Sequence, residues 1–300
     1  MPFFKKLLLE LVNFLCNNSL GLRLLGRLKL FNAVFVMYPA DQTFADYYTF
    51  KTRQRFIKWK PFIVGVITHP SGVRTLMFAI SAHVDGRDSG YDANDMRDLH
   101  ARTELLKTLL GARSTHFAGT LPGRLSALKV RRGDSQGVEQ KATVENVVQA
   151  VWRTLGENRA SVVILGAKGY VGRKVTEHLS EKNMLRVLAV DVDGVYEKGD
   201  RVLDVYKGLA GPHLILNITR PDAMNPYTEE MGHETTVLNE VYPAPHPDVV
   251  ASMKERGASV YHIAGVKASV WPPFPSAYQG AVPCCAALPE ESYEVSVVEL

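Results

Sequence analysis

Cysteine is scarce in this chain: three in 300 residues, two of them adjacent at positions 284 and 285. A disulfide framework is thereby excluded, and a reducing, cytoplasmic setting fits better. No C-x-x-C pair exists, and neighbouring thiolates are poor joint ligands for one tetrahedral zinc, so no metal site is expected. Long apolar runs are missing too. A spanning helix needs about 20 predominantly apolar residues, and the single stretch that begins like one is interrupted by Glu10, Asn13, Asn17, Asn18, Arg23 and Arg27. There is no internal repeat. With 46% hydrophobic and 22% charged residues the composition excludes a mainly disordered or fibrous chain. The length suggests two domains.

Acidic residues are nearly absent from the first forty positions. Lys5, Lys6, Arg23, Arg27 and Lys29 face only Glu10 there, and this difference equals the whole formal net charge of +4. The remainder is balanced, which argues against nucleic acid as a partner. Leu7, Leu8, Leu11, Phe14 and Leu15 recur at helical spacing, and Leu24, Leu25 and Leu28 follow a break near Asn17 and Asn18. A signal peptide is disfavoured by Glu10 and by the lack of a small-residue cleavage site. Two readings stay open. One is a basic amphipathic segment on a membrane surface, peripheral at the inner face, or on a carrier protein. The other is a helix packed on its own protein or on a second subunit of a homodimer.

Residues 32–38 (NAVFVMY), 62–68 (FIVGVIT) and 74–81 (RTLMFAIS) read as strands, the last two joined by the hairpin link HPSG. An amphipathic helix is expected over residues 92–110, with Met96, Leu99, Leu105, Leu106 and Leu109 on one side and Gly111 as its stop. Residues 116–124 (HFAGTLPGR) read as a loop whose amides and Arg124 could hold an anion. From Thr143, a candidate helix N-cap, the pattern becomes alternating helix and strand. Such alternation indicates a doubly wound parallel sheet. The expected fold is therefore α/β: a basic helical segment (1–31), a small α/β substrate domain (32–142), a Rossmann domain (143–268) and a tail (269–300) returning to the cleft.

The sharpest local signal is VVILGAKGYVGRKVTEHL, a buried strand running through Gly166, Gly169 and Gly172 into a helix. The first glycine permits a tight turn, the second lets a pyrophosphate approach the backbone, and the third allows helix–strand packing. Lys168, Tyr170 and Val171 complete the candidate cofactor turn. Asp191 ends the next strand about 25 residues beyond Gly166, where an acid bonds a ribose 2′-OH. This favours NAD, while Asp193 and Lys198 nearby keep NADP open. Asn217, Thr219, Arg220, Asn239, Glu240 and Gly265 follow later strands and are candidates for the nicotinamide and substrate wall.

Cys284 or Cys285 could serve as a nucleophile, or both could be small buried residues. His69, His83, His116, His262, Lys267 and Tyr278 are candidate proton donors. The order of parts resembles the two-domain dehydrogenases that include shikimate dehydrogenase and glutamyl-tRNA reductase. A closer outline is that of the aldehyde-forming acyl-(acyl carrier protein) reductases, through VGVITHPSGVRTLMF, HFAGTLPG, VLNEVYP, HIAGV and VPCCAA. That resemblance implies an acyl group carried on Cys284 or Cys285. The reading is an NAD(P)-dependent oxidoreductase acting at an interdomain cleft on a small carbonyl or acyl-thioester substrate. Alternatives are a dehydrogenase or imine reductase without a covalent step, and a non-catalytic membrane-associated nucleotide-binding module. Deleting residues 1–30 is expected to release the protein from anionic membranes and leave NAD binding intact.

Overall fold

The computed structural model describes residues 3–82, 92–130, 138–156, 160–181, 187–191, 194–195, 211–275, 278 and 280–300. His83, Asp193 and Lys198 lie outside the described residues. The chain forms two compact units: Met1–Gln140 with Lys267–Tyr293, and Lys141–Val266 with Glu294–Leu300.

The first unit opens with two helices, α1 (Phe3–Cys16) and α2 (Ser19–Arg27). The break falls where the asparagines are: Asn18 caps α2 by accepting from Leu20 N and Gly21 N. Then follow β1 (Ala33–Met37), α3 (Gln42–Tyr48), α4 (Lys51–Gln54), β2 (Phe62–Thr68) and β3 (Arg74–Ala79). β1 is AVFVM and every residue is buried, the signature of a strand covered on both faces. The long helix α5 (Ala93–Leu110) starts with a capping box from Asp92 and Asp95 and stops at left-handed Gly111. Its buried stripe is Met96, Leu99, Thr103, Leu106 and Leu110. Leu105, expected inward, is exposed, because the 3.6-residue period carries it off that stripe.

Residues 116–124 are not simply a loop. β4 (Ser114–Phe117) precedes α6 (Leu121–Ala127), which opens with Pro122 in its first turn and buries Leu121 and Leu125. The sheet runs β11–β2–β3–β1–β4, where β11 (Ser269–Trp271) comes from the C-terminal segment. β1 is parallel to β3 and β4, whereas β2 is antiparallel to β3 and β11. Phe35, Phe78 and Phe117 of the sheet and Leu99 and Leu110 of α5 are fully buried.

The second unit takes over within α7 (Val138–Leu155), from Lys141 on. Thr143 lies inside this helix rather than capping it, since the preceding residues continue the helical turn. Val147, Val151 and Leu155 are buried, and Gly156 ends the helix in the left-handed region as expected. β5 (Ser161–Leu165), α8 (Tyr170–Glu181), β6 (Val187–Asp191), β7 (Gly194–Val195), β8 (His213–Asn217), β9 (Thr235–Asn239), α9 (Pro247–Glu255), β10 (Ser259–Val266) and β12 (Val295–Glu299) follow. The sheet order is β12–β10–β9–β8–β5–β6–β7. β6, β5, β8, β9 and β10 are mutually parallel, flanked by antiparallel β7 and β12. Chain order reverses between β5 and β8, so this is a doubly wound Rossmann sheet with its switch point there. The tail is divided: residues 267–293 belong to the first unit and β12 closes one edge of the second sheet.

Candidate functional site at the switch point

The glycine turn is built from hydrogen bonds that the strand ends supply. Gly166 N and Ala167 N both donate to Val190 O, at 2.9 and 3.0 Å, and Ile218 N donates to Leu165 O at 3.0 Å. The turn is thus pinned to β6 on one side and to the residue after β8 on the other. Gly166 adopts φ +95°, which side-chain-bearing residues rarely adopt. A Cβ at Gly172 would collide with Gly166 O and lie 2.9 Å from Ala167 Cα, so the start of α8 packs directly on the turn. Gly169 differs: a Cβ there would meet only Gly166 O at 3.3 Å, with open space beyond. Lys168, Gly169 and Tyr170 are exposed at the turn's tip, and Val171 is half-buried behind them. The three spacings therefore do what the motif requires: bend, leave room, and pack. First-turn amides of α8 lack intrahelical acceptors and suit a phosphate.

Beside the turn lies a cleft of about 130 Å³ lined by Leu165, Gly166, Val190, Thr219, Arg220, Asp222, Ala223, Pro226 and Tyr227. It occupies the carboxyl ends of β5, β6 and β8, where open α/β sheets hold their ligands. Gly166, Thr219 and Arg220 are brought together here as the sequence suggested. Arg220 Nε pairs with Asp222 at 3.0 Å on the surface. Burial pushes the Tyr227 phenol up. Tyr227, Pro226 and Asp222 were not foreseen, because they sit in an irregular stretch and a short 3₁₀ turn (Asn225–Glu230) without periodic signal. Asp191 ends β6 as expected, one residue beyond Val190.

From the carboxyl ends of β8 and β9 to the middle of β10 runs a buried chain of side chains. Asn217 Nδ2 donates to Arg220 O at 2.9 Å and to Asn239 Oδ1 at 2.8 Å, and Asn217 Oδ1 accepts from Thr219 N at 3.2 Å. Asn239 Nδ2 donates to Val241 O at 2.7 Å and meets His262 Nδ1 at 3.0 Å. Since Nδ1 must accept, the ring proton resides on Nε2 and His262 is neutral, in accord with burial holding its pKa below the usual value. Asn217 and Asn239 are fully buried, so they act by shaping the 217–220 loop. Glu240 N donates to Asn217 O at 2.9 Å. Although Glu240 keeps some surface, protein surrounds its carboxyl, and burial pushes it up to about 7. Gly265, at φ +124°, sits at a β10–β12 register shift, so it bends the last parallel strand near its end.

The remaining candidates belong to the first unit. Cys284 and Cys285 form a one-turn 3₁₀ helix (Cys284–Ala286) packed against β4, with Cys284 buried and Cys285 half-buried. His116, on β4, is fully buried and its Nε2 lies 2.9 Å from Ser114 Oγ. His69 is bonded on both ring nitrogens, to Thr75 Oγ1 and Tyr293 OH, at 2.7 Å each. Arg124 Nε donates to Thr120 Oγ1 at 3.1 Å, which ties it to its own helix start. Lys267 is exposed between β10 and β11. Among the described residues no helix is long and apolar enough to cross a membrane.

No family model matches the chain, and no curated protein matches it. Solved structures share its outline. Quinate dehydrogenase from Corynebacterium glutamicum, in complex with NAD, is 14% identical over 77% of this chain and 87% of its own, at a TM-score of 0.38. The bifunctional methylenetetrahydrofolate dehydrogenase/cyclohydrolase FolD from Campylobacter jejuni gives 13%, 81%, 85% and 0.36. An ABC transporter substrate-binding protein from Aeropyrum pernix gives 13%, 79%, 67% and 0.36. Enzymes and a binding protein thus score alike, and at this level the likeness assigns neither family nor activity. The α/β architecture itself stands on the strand orders above.

Proposed function

We propose that the second unit binds a nicotinamide dinucleotide, NAD in preference to NADP, and that the chain is an oxidoreductase. The observation that carries this is the glycine turn at the switch point, open above Gly169 and closed at Gly172. Backbone amides at 170–172 would hold the pyrophosphate, Asp191 the adenosine ribose, and Thr219 and Arg220 the nicotinamide half. A bound nicotinamide supplies or accepts a hydride. The test is a fluorescence titration with NADH. Gly169→Ala adds a methyl group where the fold has room, so the protein should melt as wild type yet lose about tenfold or more in NADH affinity. Unchanged affinity, or no NADH binding by the wild type, would refute the reading.

The acyl-thioester substrate is supported by the half-buried Cys285 beside buried Cys284. In that chemistry a Cys285 thiolate attacks the thioester carbonyl carbon. A new carbon–sulfur bond forms, the carrier's carbon–sulfur bond breaks, and the carrier thiolate departs and takes a proton. Replacing both cysteines by alanine should abolish acyl transfer to the protein, read by intact mass after incubation with an acyl thioester, while NADH binding persists. Turnover by the double variant would favour the non-covalent dehydrogenase reading instead.

A further inference from the structure

α1 is amphipathic in the reverse of the usual sense. Its polar side faces the protein. Asn13 is buried: its Nδ2 donates to Ile63 O and its Oδ1 accepts from Ile63 N, both at 2.7 Å, so the amide pairs with β2 as a neighbouring strand would. Asn17 Nδ2 reaches Pro61 O at 3.1 Å. Glu10 pairs with Arg53 at 2.7 Å and accepts from Thr49 Oγ1. Only Leu9 and Leu22 are fully buried apolar anchors from the two helices. The apolar side faces out: Phe3, Phe4, Phe14, Leu20 and Leu28 are 65–78% exposed, and Phe56 joins them at 77%. A soluble surface rarely gathers so many large apolar side chains without a use.

The charge around them is mainly basic. Phe3 packs edge-on against Phe50, and Lys6 lies over the same ring, so residues 50–61 run beside α1. This neighbour contributes exposed Arg55, Lys58 and Lys60, besides Lys51 and Arg53, which pair with Asp46 and Glu10. Residues 1–60 hold ten Lys and Arg against three acids, whereas the rest of the chain holds 25 against 28. The basic surplus is therefore larger than a count of the first forty residues indicates, and two separated stretches of sequence bring it to one surface.

We infer that this surface, formed by the outer sides of α1 and α2 with residues 50–60, docks on an anionic lipid bilayer. Phenylalanine and leucine tips at this exposure fit insertion among acyl chains, which need no shaped counterpart, and the basic residues complement anionic headgroups. The inference is independent of the dinucleotide reading.

Co-sedimentation of the full chain with vesicles tests it. The protein should pellet with phosphatidylcholine–phosphatidylglycerol vesicles at low ionic strength, less at high ionic strength, and little with phosphatidylcholine alone. Leu7→Gln/Leu11→Gln/Phe14→Gln and Arg55→Glu/Lys58→Glu/Lys60→Glu alter exposed residues only. Each triple variant should keep the wild-type circular dichroism and lose about tenfold or more in partitioning. The inference is overturned by wild-type protein that stays in the supernatant, by equal binding to both vesicle types, or by folded variants that bind as wild type. It is likewise overturned if this face instead forms a stable dimer or binds an acidic carrier protein while vesicles are ignored.

Discussion

His69 sits in a relay whose proton positions are fixed by its surroundings. Burial pushes the Tyr293 phenol upward, so it stays protonated; it accepts from Leu288 N at 2.9 Å and donates to His69 Nδ1. The ring proton is then on Nε2 and goes to Thr75 Oγ1. Burial holds His69 down at about 4 against an ordinary value of 6.5, with Glu291 opposing weakly. Between those two pH values the unfolded chain binds a proton that the folded chain refuses. The stabilisation is therefore complete above about pH 6.5 and is lost as the pH falls toward 4, by up to about 3 kcal/mol. Urea midpoints measured from pH 7 to pH 4 should fall more steeply for wild type than for His69→Gln. Parallel curves would show that His69 is not the titrating group. The same relay, with Glu291 accepting from Ser71 N, fastens the 288–293 segment to the HPSG turn.

At the scale of elements, legibility followed burial and locality. The parallel strands of the second unit were visible because both faces are covered, leaving unbroken apolar runs such as SVVIL and HLILN. The glycine turn was visible because its three constraints are local in sequence and each demands the same residue type. β11 and β12 were missed because they are short edge strands whose partners, β2 and β10, lie elsewhere in the chain. β4 was missed because four residues with two hydroxyls and an imidazole carry no strand-like run. Asn217 and Asn239 were correctly located at strand ends and His262 on the last parallel strand, but only the fold reveals that they bond one another. Likewise Asn13 and Asn17 read as interruptions of an apolar helix. They are the residues that seat it, since a lone amide can satisfy the N–H and C=O of one edge residue together.

For the molecule as a whole, the leader is part of the fold. Its outer side is exposed, and its inner side is part of the first unit's core: Leu22 lies in the cluster with Val34, Phe78, Leu106 and Phe117, and Val12, Cys16 and Leu25 pack against it. The expectation that residues 1–30 can be deleted with only a change of location does not survive this packing. Removal would expose the apolar surface under Leu9 and Leu22, each worth about 1.5–3 kcal/mol when buried. It would also strip Ile63 of both hydrogen bonds from Asn13, at about 0.5–1.5 kcal/mol each once water replaces them. The total approaches the whole stability of an ordinary domain, about 5–15 kcal/mol. A chain lacking residues 1–30 should therefore aggregate or elute as a heterogeneous species on size exclusion, and should lose the cooperative melt of the first unit. The outer-face triple variants should remain monodisperse with wild-type melting. A truncated protein that is monodisperse and melts like the full chain would show that α1 and α2 rest on the fold without supporting it.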